Sequence, residues 1–236
     1  MIDAVSWSDA YPPNSPFRNV THWYARRLAD LTGVSLRVVP AESGLIRTIR
    51  RHADAVIISG SPRDAWSDDP MNGKLCEVIH ECADVEVPFL GVCYGHQLLG
   101  RALGGEVGPH PEGLELGTVL LELTHAGQNF PLFDGLPPKF DALLSHADAV
   151  LTLPPKCELL VTGDFTQIQA FHRDHLLMGV QFHPEMDPDT LRFIWSVRRD
   201  KWRDKVNFDL DQRLDSLQPT PFASKVLANF VTHFIT

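Results

Sequence analysis

The segment Pro88-Phe-Leu-Gly-Val-Cys-Tyr-Gly-His-Gln-Leu-Leu-Gly100 constrains this chain more than any other. Its start, Pro88 to Val92, reads as a buried strand. Gly95 to Leu103 reads as a helix that stops at Gly104-Gly105. Between them lies Gly91-x-Cys93-x-Gly95. A chain that passes so abruptly from strand to helix must turn sharply, and small residues two before and two after the turn let the segments pass closely. Such a turn strains the central residue and exposes its side chain, and the helix N-terminus adds positive potential that favours a thiolate. A cysteine met in isolation is more often a buried structural residue. That reading suits Cys76 and Cys82, inside a helical stretch, and Cys157, which opens a strand. It does not suit Cys93.

The rest of the first two thirds repeats the strand-then-helix rhythm. Ile2 to Trp7, Val34 to Val39 and Asp54 to Ile58 read as strands. A helix starting at Asn14-Ser15-Pro16 puts Val20, Trp23, Tyr24, Arg27, Leu28 and Leu31 near one face and ends at Gly33. Leu45 to Arg51 reads as a short basic helix, and Leu75, Val78, Ile79 and Cys82 mark another. This alternation predicts an α/β fold with a mostly parallel, flavodoxin-like sheet flanked by helices. From Val107 to Phe182 short β-like runs separated by turns add further strands, some antiparallel: 116–123, 139–144, 158–161, 168–171 and 176–182. Two closing helices are expected, Thr190 to about Arg203 and Ala223 to Phe234, joined by a polar segment. With no repeat or flexible linker, residues 1–236 read as a single domain.

Lys plus Arg is 21 against 30 Asp plus Glu, a net charge of −9, which disfavours nucleic acid as a partner. The four cysteines form no CxxC pair, so a zinc ribbon or thioredoxin motif is not expected, and so few in 236 residues fit a reducing compartment. The N-terminus has no signal-peptide pattern, and no apolar run approaches a membrane span. A cytoplasmic protein without membrane partner is expected.

A thiol nucleophile needs a base, and the base a group that fixes its tautomer. Gly179-Val-Gln-Phe-His183-Pro184-Glu185 offers both. Pro184 biases His183 toward extended backbone, where residues i and i+2 point the same way and Glu185 can reach the ring. The His172/His175 pair has no such setting and reads as solvated turn residues. A tetrahedral oxyanion needs two N–H donors. Tyr94, after the cysteine, offers one, and the Ser59-Gly60-Ser61-Pro62 turn at the end of the third strand offers the other through Gly60 or Ser61.

Gly91-Val-Cys-Tyr-Gly-His-Gln97 together with His183-Pro-Glu185 resembles the class I, triad-type glutamine amidotransferases. Ile57-Ile-Ser-Gly-Ser-Pro62 is similar to the family's oxyanion strand-loop, Ser145-His146-Ala-Asp148-x-Val150 to its segment bordering the glutamine site, and Thr220-Pro-Phe with Leu227-x-Asn229-Phe230 to its closing helix. The resemblance implies Cys93 as nucleophile, His183 as base and Glu185 as its partner, with backbone donors at Gly60, Ser61 and Tyr94. Gln97, Ser145 and His146 would help hold the glutamyl group. No metal or organic cofactor is implied.

Within the family, Ser59-Gly-Ser-Pro-x-Asp-Ala65 leans toward the stand-alone γ-glutamyl peptidases rather than the GMP-synthase type, and no ammonia-accepting synthetase domain is recognisable. The expected reaction is hydrolysis of a small γ-glutamyl amide through a thioester. The alternatives are a glutaminase subunit that delivers ammonia to a separate synthetase, and a redox-sensing protein that uses Cys93 as a sensor thiol. A sensor needs no general base, so His183-Pro-Glu185 argues against the last.

Overall fold

The computed structural model describes residues 1–4, 20–40 and 53–235. Its central sheet has nine strands in the order β2-β1-β3-β4-β11-β10-β9-β6-β7. β1 (Ile2–Asp3), β2 (Val39–Pro40), β3 (Val56–Ile58), β4 (Phe89–Val92) and β11 (Leu177–Val180) are parallel. From β11 the sheet continues antiparallel through β10 (Ala170–Arg173), β9 (Glu158–Thr162), β6 (Glu115–Leu123) and β7 (Lys139–His146). The parallel half follows the flavodoxin-like order, and the mixed α/β class read from the sequence is the class observed.

The parallel strands bury both faces, and their residues alternate between two cores. Ile57, Leu90, Val92, Met178 and Val180 face a core shared with α1 (Val20–Leu28), α5 (Pro188–Ser196) and α8 (Lys225–Phe234). Val56, Ile58, Phe89 and Leu177 face the other, shared with α2 (Pro70–Asp84) and α3 (Tyr94–Ala102). This two-sided burial is why the strands read as unbroken apolar runs.

Glycines set how closely α3 sits. A Cβ on Gly91 would fall on the Gly95 carbonyl, and one on Gly95 on the Ile58 carbonyl. A Cβ on Gly179 would lie 2.7 Å from His96 Nδ1. The strand-facing side of α3 therefore rests almost directly on backbone.

Several elements differ from the sequence reading. A second, two-stranded sheet pairs β5 (Glu106–Pro109) with β8 (Asp148–Thr152), packed on α3 where Gly100 meets Val150. Gly and Pro in β5 hide its strand character from pattern reading. Of the expected strand 34–39 only its end pairs, as β2. The helix expected over 190–203 is broken. α5 begins at Pro188, with Asp187 Oδ1 accepting from Thr190 N at 2.8 Å, and ends at Ser196. A tight turn, Arg198 N to Trp195 O at 3.1 Å, separates it from the short α6 (Arg199–Trp202). The polar joining segment contains α7 (Leu210–Asp215), capped by Asp209, with Leu210 and Leu214 buried. His172 is a buried β10 residue bonded to Glu158, not a solvated one; burial, opposed by that carboxylate, pulls its pKa down. Residues 5–7, the helix start at 14–16 and the basic helix at 45–51 lie outside the described residues.

Two glycine substitutions should act with opposite sign. Gly95→Ala forces the elbow apart and should lower stability by about 1–3 kcal/mol. Gly73 is exposed on α2, a Cβ there would meet nothing within 4 Å, and its change to Ala should add about 0.5–1 kcal/mol. Urea unfolding of both variants checks the pair; equal effects would contradict the packing described for α3.

Candidate active site

Three neighbouring parallel strands end at one place. β3 leads to Gly60, β4 to Cys93, and β11 through Gln181-Phe182 to His183. This is the carboxyl edge of the sheet, where α/β folds assemble ligand sites. Cys93 N donates to Val180 O at 2.9 Å and His183 N to Leu143 O at 2.9 Å, which ties the two segments to their neighbours.

Cys93 is the residue before α3 and has φ +51° and ψ −100°, a left-handed conformation unfavourable for a side chain. Its side chain and the imidazole of His183 line one cavity, and their charges interact there. His183 Nδ1 meets Glu185 Oε1 at 2.7 Å, and both side chains are buried. Burial lowers the ring's hold on a proton; the charges of Glu185 and Cys93, together with the hydrogen bond to Glu185, override it and push His183 up to about 10. The ring is thus a strong base that keeps its proton at neutral pH. Burial pushes the Cys82 thiol up to about 12 and Cys157 up to about 11, and raises Cys76.

The expected reason for the His183–Glu185 contact needs correction. The segment is not extended; Pro184 and Glu185 form a turn, with Met186 N donating to His183 O at 3.4 Å. The turn folds the carboxylate beneath the ring. Helix α1 anchors it: Arg27 Nη2 donates to Met186 O at 2.6 Å and Arg26 pairs with Asp187 at 2.8 Å.

Gly60 packs against both Cys93 and His183. A Cβ there would lie 3.0 Å from His183 Cε1 and 3.6 Å from Cys93 Cβ. Ser61 lines the same cavity and is held by its Oγ donating to Ala4 O at 2.8 Å. Tyr94 opens α3, where a first-turn N–H has no carbonyl a turn behind it. Its phenol is turned away, onto Asn72.

Ser145 lines the cavity, its Oγ accepting from Trp195 Nε1 at 2.9 Å. Gln97 and His146 do not line it. Gln97 Nε2 donates to Asp148 O at 2.7 Å and to Gln181 Oε1 at 3.2 Å. The His146 ring lies between Asp148 O and Glu115 Oε2, both at 2.9 Å. Burial works against the Glu115 charge, but the hydrogen bonds from His146 and Gln169 hold its carboxyl below the usual range. This buried network fixes the loop beside Ser145. Glu115 went unnoticed in the sequence because it opens a strand amid apolar residues. Trp23, Met186, Ile194 and Arg198, which also line the cavity, belong to no motif.

A larger cavity, about 190 Å³ against about 50 Å³ here, lies beside Met1, Val39 and Phe230. It lies beyond the other end of the parallel strands and holds neither cysteine nor histidine.

A cysteine sharing a cavity with a histidine that is bonded to a carboxylate is an arrangement that can carry acyl transfer. Comparison with known proteins points the same way. Residues 17–192 match the family described as glutamine amidotransferase class-I. The chain is 36% identical over 167 residues to the GMP synthase [glutamine-hydrolyzing] of Aeropyrum pernix, covering 70% of this chain and 30% of that protein. It is 36% identical over 140 residues to gamma-glutamyl peptidase 5 of Arabidopsis thaliana, covering 58% and 56%. It is 35% identical over 156 residues to one of the GMP synthase [glutamine-hydrolyzing] subunits of Pyrococcus furiosus, covering 65% and 78%. The chain thus spans under a third of the first relative's length and just over half of the second's. A crystallised glutamine amidotransferase from Thermotoga maritima shares the fold, with TM-score 0.75 at 20% identity over 99% of this chain and 97% of that one. With the family pattern matched over most of its length, this chain belongs to the class I glutamine amidotransferases.

Proposed function

We propose that this protein hydrolyses γ-glutamyl amide bonds by cysteine-dependent acyl transfer, with Cys93, His183 and Glu185 as the catalytic triad. The observation that carries the reading is Cys93 held in strained backbone at the strand–helix junction, sharing a cavity with a histidine that is itself bonded to a buried carboxylate. Cys93 Sγ attacks the γ-carbonyl carbon while His183 holds the thiol proton. The N–H of Tyr94 and those of Gly60 and Ser61 receive the oxyanion. His183 then protonates the departing amine, leaving a γ-glutamyl thioester. Water, deprotonated by His183, attacks the thioester and releases glutamate. Glu185 orients the ring and stabilises its charged form.

Likeness to gamma-glutamyl peptidase 5 supports a hydrolase that acts alone. Likeness to the Pyrococcus furiosus GMP synthase subunit supports a second reading, a glutaminase that feeds a separate synthetase. Glutamate release by the isolated protein from glutamine, γ-glutamyl dipeptides and γ-glutamyl amines separates them. Turnover without a partner is the expected result. Silence on all three, with glutamine hydrolysis restored by a second protein, would favour the synthetase-dependent glutaminase.

Cys93→Ser should abolish turnover with the circular dichroism spectrum unchanged; activity near wild type would place the nucleophile elsewhere. Glu185→Gln should cost roughly tenfold to hundredfold less in kcat than His183→Ala, because the carboxylate orients the base but moves no proton itself. Equal rates for Glu185→Gln and wild type would remove Glu185 from the triad.

The pH profile follows from the raised pKa of His183. Protonation of the leaving amine needs the imidazolium, so kcat/KM should hold through neutral pH and fall as pH rises through about 10. Glu185→Gln removes the carboxylate charge that raises the ring, so this basic limb should move down by at least about one pH unit. A limb that stays in place would show that another group sets it.

A further inference from the structure

Among the described residues, the cavity beside Cys93 holds one charged side chain that the proposed triad leaves unused. Arg198 follows the turn that ends α5 and lines the same cavity as Cys93, Ser145 and His183. The other charged groups close to the site are engaged within the protein. Glu185 bonds His183, Arg27 bonds Met186 O, and Arg26 pairs with Asp187. Further along the chain, Arg199 and Arg203 both pair with Asp211, at 3.3 Å and 2.9 Å. Among the described residues no hydrogen bond or ion pair reaches the Arg198 guanidinium.

This arrangement is unfavourable on its own. Arg198 is half-buried beside the apolar Met186 and Ile194, in a cavity whose other cationic group is protonated His183. A partly desolvated cation without a counter-charge is costly, and an anion entering the cavity relieves that cost. A guanidinium presents a planar fork of donors that matches a carboxylate in two parallel hydrogen bonds.

We infer that Arg198 recognises a carboxylate of the substrate. The inference rests on the γ-glutamyl reading for the identity of that carboxylate: every γ-glutamyl compound carries one on its α-carbon, and a γ-glutamyl peptide carries a second on its leaving amine. Either way Arg198 is a specificity residue that selects anionic ligands for the cavity of Cys93.

Two measurements test it. In the first, Cys93 is alkylated with iodoacetate and with its neutral analogue iodoacetamide, and modification is read on the Cys93 peptide by mass spectrometry. The ratio of the two rates should fall roughly three- to tenfold in Arg198→Gln and be partly kept in Arg198→Lys, since only the anionic reagent gains from the cation. A ratio unchanged in Arg198→Gln overturns the inference. His183 is present in all three proteins, so its charge does not affect the comparison.

The second measurement compares kcat/KM for γ-glutamylglycine and γ-glutamylglycinamide. A loss of roughly ten- to hundredfold in Arg198→Gln on γ-glutamylglycine alone places the recognised carboxylate on the leaving amine. The same loss on both places it on the glutamyl α-carbon. No loss on either overturns the inference. Should wild type hydrolyse neither compound while Cys93 alkylation keeps its dependence on Arg198, the reading of a self-sufficient γ-glutamyl peptidase fails and anion recognition stands.

Discussion

The close seat of α3 on the sheet is the contact on which the rest of this structure depends. Gly91, Gly95 and Gly179 remove the side chains that would hold the helix away, so backbone rests on backbone. That approach starts α3 one residue after β4 ends and leaves Cys93 no choice but the turn between them. The parallel pairing of β3, β4 and β11 then brings Gly60 and His183 to the same edge. One packing constraint therefore fixes both the fold's central crossover and the meeting of three residues far apart in the chain.

What could be read in advance was what is local. The strand-to-helix turn at Cys93 shows in a few consecutive residues, because close packing demands glycine at fixed offsets. The order β2-β1-β3-β4 follows from strand–helix alternation. The seat of β11 beside β4 does not, because the 84 residues between them include the whole antiparallel half of the sheet and no local signal says which strand returns. His183 and Glu185 were legible as a pair, yet for a reason that fails: a turn, not an extended segment, joins them. Ser145 could be picked out from its motif. Gln97 and His146 belong to the same motifs but spend their polar atoms on the Asp148 carbonyl and on each other's neighbours, which only three-dimensional packing reveals. Arg198 was hidden for the opposite reason. In the run Arg198-Arg199-Asp200-Lys201 it resembles any solvated helix end, and the break after α5 is what turns it toward the cavity.

Two histidine–carboxylate couples stand on either side of Ser145. His183 with Glu185 faces the cavity, and His146 with Glu115 is sealed behind it. Both are buried, so neither is weakened by solvent screening, and losing either carboxylate would leave an uncompensated ring. Their roles divide by access. The first couple borders the cavity beside Cys93, whereas the second is a fixed brace sealed away from it. Trp195 links the brace to α5 through Ser145 Oγ, so the wall that carries Arg198 and the wall that carries Ser145 are tied together.

The left-handed conformation of Cys93 has an evolutionary meaning. Holding a side chain at φ +51° costs roughly 1–3 kcal/mol, and only glycine would sit there without penalty. The residue we propose as nucleophile is thus one that folding stability alone would never select. Drift toward glycine would relax the backbone and silence the thiol in a single step. A more relaxed chain without the elbow thiol lies one substitution away, so stability and the proposed reactivity pull this position in opposite directions.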